Sequence, residues 1–227
     1  MPLDAEGARR FYDRIGRGQD SQRFYEDPAT HRLAGPARLA GADHVYELGC
    51  GTGRYADWLL GAVLRPEAGY LGVEISSVMA RLAGERLARF APRAEVVLID
   101  PPGRTLSGEP GSFDRFVANY VFDLLGTGDA QALLAEAHRL LAPDGLLCAV
   151  SLTPGPTPIS GLVSAAWGAI ATRRPALVGG CRPIELTALL DPSRWIVTHD
   201  EVVTSWGVPS EVLVARRLEP AGAADGP

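Results

Sequence analysis

Val45-Tyr-Glu-Leu-Gly-Cys-Gly-Thr-Gly-Arg54 decides the fold. An apolar run of strand type leads into glycines at 49, 51 and 53, and apolar residues at helical spacing follow from Tyr55. Glycine at every second position lets the chain turn tightly and lets a ligand lie directly on the backbone, where a Cβ would intrude. A nucleotide-like cofactor is therefore expected on this loop.

The residues around the glycines narrow the cofactor. The dinucleotide fingerprint GxGxxG needs a glycine at 54, where Arg54 stands, and carries no acid two residues before its first glycine, where Glu47 stands. A carboxylate there would oppose a pyrophosphate but suits a ligand bearing an ammonium and a sulfonium, which favours S-adenosylmethionine over a nicotinamide dinucleotide. Further on, Leu71-Gly-Val-Glu-Ile-Ser76 ends a strand on Glu74, followed by Ile75. A carboxylate at a strand tip at this distance can accept from both ribose hydroxyls.

Working outward, apolar runs of strand length at His44 to Leu48, Gly69 to Glu74, Ala94 to Asp100, Phe113 to Asn119 and Gly145 to Ser151 alternate with helical patterns at Tyr55 to Leu64, Ser77 to Phe90 and Asp129 to Leu141. That alternation predicts an α/β fold with a mostly parallel sheet. Trp195 to Ser205 and Glu211 to Leu218 are β-rich and flank Trp206 to Ser210, so the sheet is expected to finish in an antiparallel hairpin. The length of 227 residues suits one core. Residues 1–43 are expected to form an N-terminal helical cap segment, 44–218 the cofactor-binding domain and 219–227 a disordered tail.

Composition excludes several classes. A net charge of -5 argues against a broad phosphate-binding surface, so nucleic acid is not an expected partner. All 22 basic residues are arginines, which rules out a Schiff-base or P-loop lysine. Cys50, Cys148 and Cys181 show no zinc spacing, no His/carboxylate cluster suggests a metal, and none is expected. The opening residues carry no secretory or transit pattern, and prolines and glycines interrupt Thr153 to Thr172, so a cytoplasmic protein without a transmembrane segment is expected. The oligomeric state stays open.

Glu47 to Gly53 and the Glu74 strand end resemble the first two motifs of the class I S-adenosylmethionine-dependent methyltransferases. Later blocks extend the resemblance over residues 44 to 218: Ala94 to Asp100 is similar to the family's third strand, Phe113 to Leu125 to its fourth strand and following loop, and Leu140 to Leu147 to the entry into the fifth. The final hairpin is similar to its reversed sixth and seventh strands. The resemblance implies a Rossmann-like seven-stranded sheet, S-adenosylmethionine as cofactor, and adenine contact by Asp100. One departure is Pro101-Pro102-Gly103 after that acid, where the family often has a small polar residue; it reads as a rigid turn.

Methyl transfer from a sulfonium is an in-line displacement, so the protein mainly aligns, excludes water and sometimes supplies a base. The expected cofactor residues are Glu47, Gly49, Gly51, Gly53, Glu74, Ile75, Asp100 and Asn119. Tyr25, His31, Tyr120 and Asp123 are the catalytic candidates. Tyr120 either faces the transferred methyl or is a core aromatic, and Asp123 either holds the acceptor or caps a helix. His31 is the histidine suited to act as a base. Tyr12 and Tyr25, in the aromatic segment Phe11 to Tyr25, either line the site or pack on the sheet edge. Ile159 to Ala171 carries apolar residues at helical spacing and either caps the acceptor pocket or packs in the core. The expected acceptor is a small, partly apolar or lipid-like molecule. A non-catalytic cofactor-binding regulatory subunit and an aminopropyltransferase-like enzyme are the alternatives on the same fold.

Overall fold

A computed structural model describes residues 5–100, 105–173 and 180–219. Seven strands form one sheet: β1 (His44–Leu48), β2 (Gly69–Glu74), β3 (Ala94–Leu98), β4 (Phe113–Asn119), β5 (Leu141–Leu152), β6 (Trp195–Ser205) and β7 (Val208–Arg217), in the order β3-β2-β1-β4-β5-β7-β6. Strands β1 to β5 run parallel, and β7 lies antiparallel to both β5 and β6. The expected α/β sheet with a reversed C-terminal pair is the observed one. The order turns around between β1 and β4, which opens a crevice beyond the carboxyl ends of those two strands.

Side chains alternate across the sheet with a period of two. Val45, Val117 and Val150 face one core with Tyr25, Leu33 and Leu59. Tyr46, Phe116 and Ala149 face the other with Leu133 and Leu140. The first core is covered by α2 (Arg23–Leu33) and α3 (Arg54–Trp58), which widens into a π turn over Leu59–Val63. The second is covered by α5 (Thr127–Leu140). On the outer strands, α1 (Ala5–Ile15) packs on α4 (Ser77–Leu87), whose first turn is capped by Ser76 accepting from the Met79 N–H.

Three boundaries differ from the sequence reading. β3 stops at Leu98 because Glu74, the last residue of β2, pairs there and leaves nothing beyond to bond Asp100. β5 starts at Leu141, which pairs with Phe113, so strand follows helix without an intervening turn. The hairpin turn is only Trp206 and Gly207, with φ of 54° and 81°, because two residues at positive φ match the twist of the strands they join. Residues 101, 102 and 220–227, read as a rigid turn and a tail, lie outside the described residues.

The helix α6 (Pro158–Arg173) does not lay one apolar face on the protein. Leu162 is 74% exposed and Ile170 is also exposed, whereas Ser160 and Ser164 are buried and Val163 and Trp167 pack on the first core. Trp167 donates from Nε1 to the Cys181 carbonyl at 3.1 Å and meets the Tyr25 ring edge-on. Among the described residues, no helix is long and apolar enough to cross a membrane.

Candidate functional site

The glycine loop joins β1 to α3. Gly49, Gly51 and Gly53 have φ of 69°, 56° and 74°, the left-handed region that glycine enters without penalty. The N–H groups of Gly49 and Cys50 both donate to the Val73 carbonyl, which holds the loop against the end of β2. The three glycines do different things. A Cβ on Gly49 would lie 2.8 Å from the Val121 side chain, and one on Gly53 would lie 3.0 Å from Cα of Ala83. One on Gly51 would meet nothing within 4 Å, because Gly51 opens onto a cavity of about 180 Å³.

Two buried carboxylates flank that opening. Glu74 accepts from the Gly51 N–H at 2.9 Å through Oε2, and from the Ile75 and Ser76 N–H groups at 2.8 and 3.0 Å through Oε1. Burial pushes its carboxyl above the usual range, and the three backbone donors partly offset this. With two donors on Oε1 and one on Oε2, the free accepting capacity lies on Oε2. Glu47 accepts from the Tyr70 hydroxyl at 2.6 Å, and burial pushes its carboxyl up to about 7. Beside them, the Asn119 amide and the Tyr55 hydroxyl are buried on the cavity wall next to each other, and each keeps hydrogen-bonding capacity that no other described group takes up. Unused polar capacity on a cavity wall is where a ligand's own polar groups belong. Beyond Glu74, Ile75, Met79, Ile99 and Leu106 make the wall apolar.

The opposite wall comes from the N-terminal segment. Ala8 and Tyr12 of α1, then Gln19, Asp20, Gln22, Glu26 and Thr30, line the cavity. Ion pairs fasten them to the glycine loop. Arg54, at the position where a dinucleotide site has its third glycine, donates to Glu26 at 2.7 Å and to Asp27, and lies 3.8 Å from Asp20. Asp20 also accepts from Arg86 at 2.7 Å and from the Thr52 hydroxyl at 2.6 Å. Burial raises the Asp20 carboxyl, but the Arg86 and Thr52 bonds outweigh it and hold it low. For Glu26 burial wins over Arg54 and lifts the carboxyl to about 7.

Of the N-terminal residues on this wall, which closes the cavity as a lid, only Tyr12 was in the sequence reading as a candidate to line the site; for the others one signal was present. Gln22, Glu26 and Thr30 recur at four-residue spacing and form a polar stripe along α2, next to the apolar stripe of Tyr25, Ala29 and Leu33. The apolar stripe faces the sheet, so the adjacent polar stripe faces what lies beside it.

Of the expected cofactor residues, Glu47, Gly49, Gly51, Glu74, Ile75 and Asn119 line the cavity together. Gly53 does not; its role is to let the loop pack on Ala83. Asp100 is exposed and outside the lining, and Ile99, bonded through its N–H to the Glu74 carbonyl, takes the place at the wall.

The catalytic candidates fare differently. Tyr25 is buried behind the wall, edge-on to Tyr120 at 5.9 Å, because its position on α2 points into the core. His31 is exposed on the outer surface and stacked on Trp58 at 3.9 Å, one position past the polar stripe, so it cannot reach the cavity. Asp123 is fully buried and accepts from the Leu152 N–H at 3.2 Å, so it ties the loop after β4 to the end of β5 and does not face the cavity. Tyr120 does line the cavity, at φ 55°, but its hydroxyl is bonded to Ser210 at 2.9 Å. Among the described residues no group of three or more His, Cys, Asp or Glu is placed to hold a metal.

Residues 45–145 match the family model of the methyltransferase domain. The trans-aconitate 2-methyltransferase of Paracidovorax citrulli is 35% identical over 129 residues, covering 55% of this chain and 46% of that protein. The carboxy-S-adenosyl-L-methionine synthase of Trichodesmium erythraeum is 33% identical over 103 residues, covering 45% of this chain and 40% of that protein. The chain thus aligns with less than half the length of these relatives. Among solved structures, the [4+2]-cyclase SpnF superposes with a TM-score of 0.73 at 16% identity, covering 97% of this chain and 98% of that one. The N-methyltransferase NodS from Bradyrhizobium japonicum, in complex with S-adenosyl-L-homocysteine, gives 0.60 at 14% identity over 83% and 87%. At these identities the two structures speak for the fold alone.

Proposed function

We propose that the chain, whose residues 45–145 match the family model of the methyltransferase domain, is a class I S-adenosylmethionine-dependent methyltransferase acting on a small, partly apolar acceptor. The observation that carries this reading is Gly51: its missing side chain opens onto the cavity between two buried carboxylates, while a Cβ on either neighbouring loop glycine would strike protein. A ligand that lies flat on the backbone there and carries positive charge suits both features.

The residues present fit the cofactor. Glu74 offers Oε2 to a ribose hydroxyl, and its three backbone donors hold it in place beforehand. Glu47 faces the ammonium end, where a cation would restore the charge that burial suppresses. Asn119 keeps hydrogen-bonding capacity beyond its contact with the Tyr55 hydroxyl. Ile75, Met79, Ile99 and Leu106 form a slot suited to a purine. The cofactor brings an activated methyl on sulfur, so the chain's part is to align an acceptor, exclude water through the lid and receive a proton where the acceptor has one.

Titration calorimetry with S-adenosylhomocysteine tests the reading. The native chain should bind it, and Gly51→Val should lose at least about 100-fold in affinity, because a branched side chain then occupies the ligand's place. Undiminished affinity in a folded Gly51→Val protein would overturn the assignment.

A further inference from the structure

We propose that Glu26 selects the acceptor, so that the site takes a molecule with an apolar body and an uncharged or cationic hydrogen-bond-donating head, a hydroxyl or an amine, and rejects carboxylates. This inference rests on the cofactor reading above and deepens it.

Charge comes first. The described residues lining the cavity include four acids, Asp20, Glu26, Glu47 and Glu74, and one base, Arg54. Each nitrogen of Arg54 already faces a carboxylate: Nη1 bonds Asp27, Nη2 bonds Glu26 and Nε lies 3.8 Å from Asp20. Arg86, which reaches in from α4, is spent on Asp20 and Thr52. An anionic head entering here would find carboxylates and two guanidinium groups already paired with them, with no unpaired cation among the described lining residues to repay its desolvation. The trans-aconitate 2-methyltransferase acts by its name on an anion, so this inference sets the acceptor of this chain apart from that relative's.

Position comes next. Glu47 and Glu74 are both bonded into the glycine-loop wall, whereas Glu26 sits across the cavity on α2, 6% exposed. Its Oε2 takes Arg54, but Oε1 accepts only a long 3.3 Å bond from the Gln19 amide, which leaves accepting capacity facing inward. Tyr12 and Tyr120 feel the charge of Glu26, and the Tyr12 hydroxyl sits beside the Cys181 thiol. Tyr12, Tyr120, Leu124 and Leu125 surround this end with apolar surface. Tyr55 lines the same cavity, nine-tenths buried, with its hydroxyl beside the Asn119 amide. A neutral or cationic donor satisfies Glu26 without adding a like charge.

The test uses the full chain saturated with S-adenosylhomocysteine and three probes of one shape, benzylamine, benzyl alcohol and benzoate, followed by ligand-observed NMR at pH 8. Benzylamine and benzyl alcohol should each bind at least about tenfold more tightly than benzoate, and Glu26→Gln should remove most of that advantage over benzoate while S-adenosylhomocysteine affinity stays within about threefold. Glu26→Asp, which restores the charge at shorter reach, should recover part of that advantage and serves in place of the glutamine variant if that one does not fold. Equal or tighter binding of benzoate, no binding of any probe, or a preference unchanged by Glu26→Gln each overturns the inference. Absence of S-adenosylhomocysteine binding in the native chain removes the cofactor reading itself and this inference with it.

Discussion

The two walls of the cavity are held in place by different forces. The glycine-loop wall is fixed by uncharged backbone bonds to the strand beside it, Gly49 and Cys50 on Val73, with Glu74 gathering three N–H groups of its own surroundings. The lid wall is fixed by guanidinium–carboxylate contacts between segments 27 to 66 residues apart, Arg54 on Asp27 and Glu26, and Arg86 on Asp20. The first wall is part of the sheet and exists as soon as the sheet does. The second depends on charges that solvent, salt and protons can reach, since Arg54 and Arg86 stay about a quarter to a third exposed.

Removing the central cation should break the comparison most sharply. Arg54→Ala leaves Glu26 buried and Asp27 without its partner, and a loss of about 1–3 kcal/mol is expected, discounted for the partial exposure of the pair. Limited proteolysis should then cut the segment 16–22 ahead of any site in β1 or β2. Equal protection of lid and sheet in the variant would show that packing, and not charge, holds the lid.

A pH series sharpens the same comparison, because both walls carry raised carboxyls, Glu47 and Glu74 on one and Glu26 on the other. Burial lifts Glu47 and Glu26 to about 7, and Asp123 behind them likewise. In the unfolded chain these groups titrate at roughly 4 to 4.5, so between there and about 7 the folded state holds more protons. The stability they contribute is complete below the unfolded values and is lost as pH rises through 7. The ligand-free chain should therefore melt several degrees lower at pH 8 than at pH 5, by differential scanning calorimetry. Glu47→Gln and Glu26→Gln should each flatten that slope. S-adenosylhomocysteine, with its ammonium, should offset the loss on the Glu47 side and leave the Glu26 share in place.

The smallest effect belongs to His31. Its ring stacks on Trp58 outside both walls, so His31→Ala should change stability by about 0.5 kcal/mol or less and leave S-adenosylhomocysteine affinity unaltered. A loss of affinity in calorimetry would mean that the outer face of α2 communicates with the lid.

The same division explains what was legible in the sequence. The glycine loop, the Glu74 strand end and the strand–helix alternation are local patterns, and local patterns fix backbone conformation: three glycines at alternate positions do adopt positive φ. The ion pairs of the lid were not legible, because nothing within ten residues of Arg54 announces Glu26 or Asp20 as its partners. Tyr25 and His31 were chosen by residue type, and helix phase overruled type: each sits off the stripe of Gln22, Glu26 and Thr30 that meets the cavity. Asp123 was chosen for being an acid after β4, and the extra reach of β5 to Leu152 turned it into a tie between loop and strand.

The reversed direction of β7 has a practical consequence. Ser210 pairs with Leu152 at the cavity side of the sheet, and Arg216 pairs with Leu146 at the far side, so the chain leaves β7 heading away from the cavity. Leu218 is pinned there by its N–H to the Arg194 carbonyl at 2.8 Å and by its own carbonyl to His138 at 2.9 Å. A tether, fusion partner or immobilising linker attached after Glu219 therefore departs from the face opposite the cavity and leaves ligand access unobstructed. The other end is the reverse case, since Ala8 lines the cavity and Ala5, the first residue of α1, is within one helical turn of it.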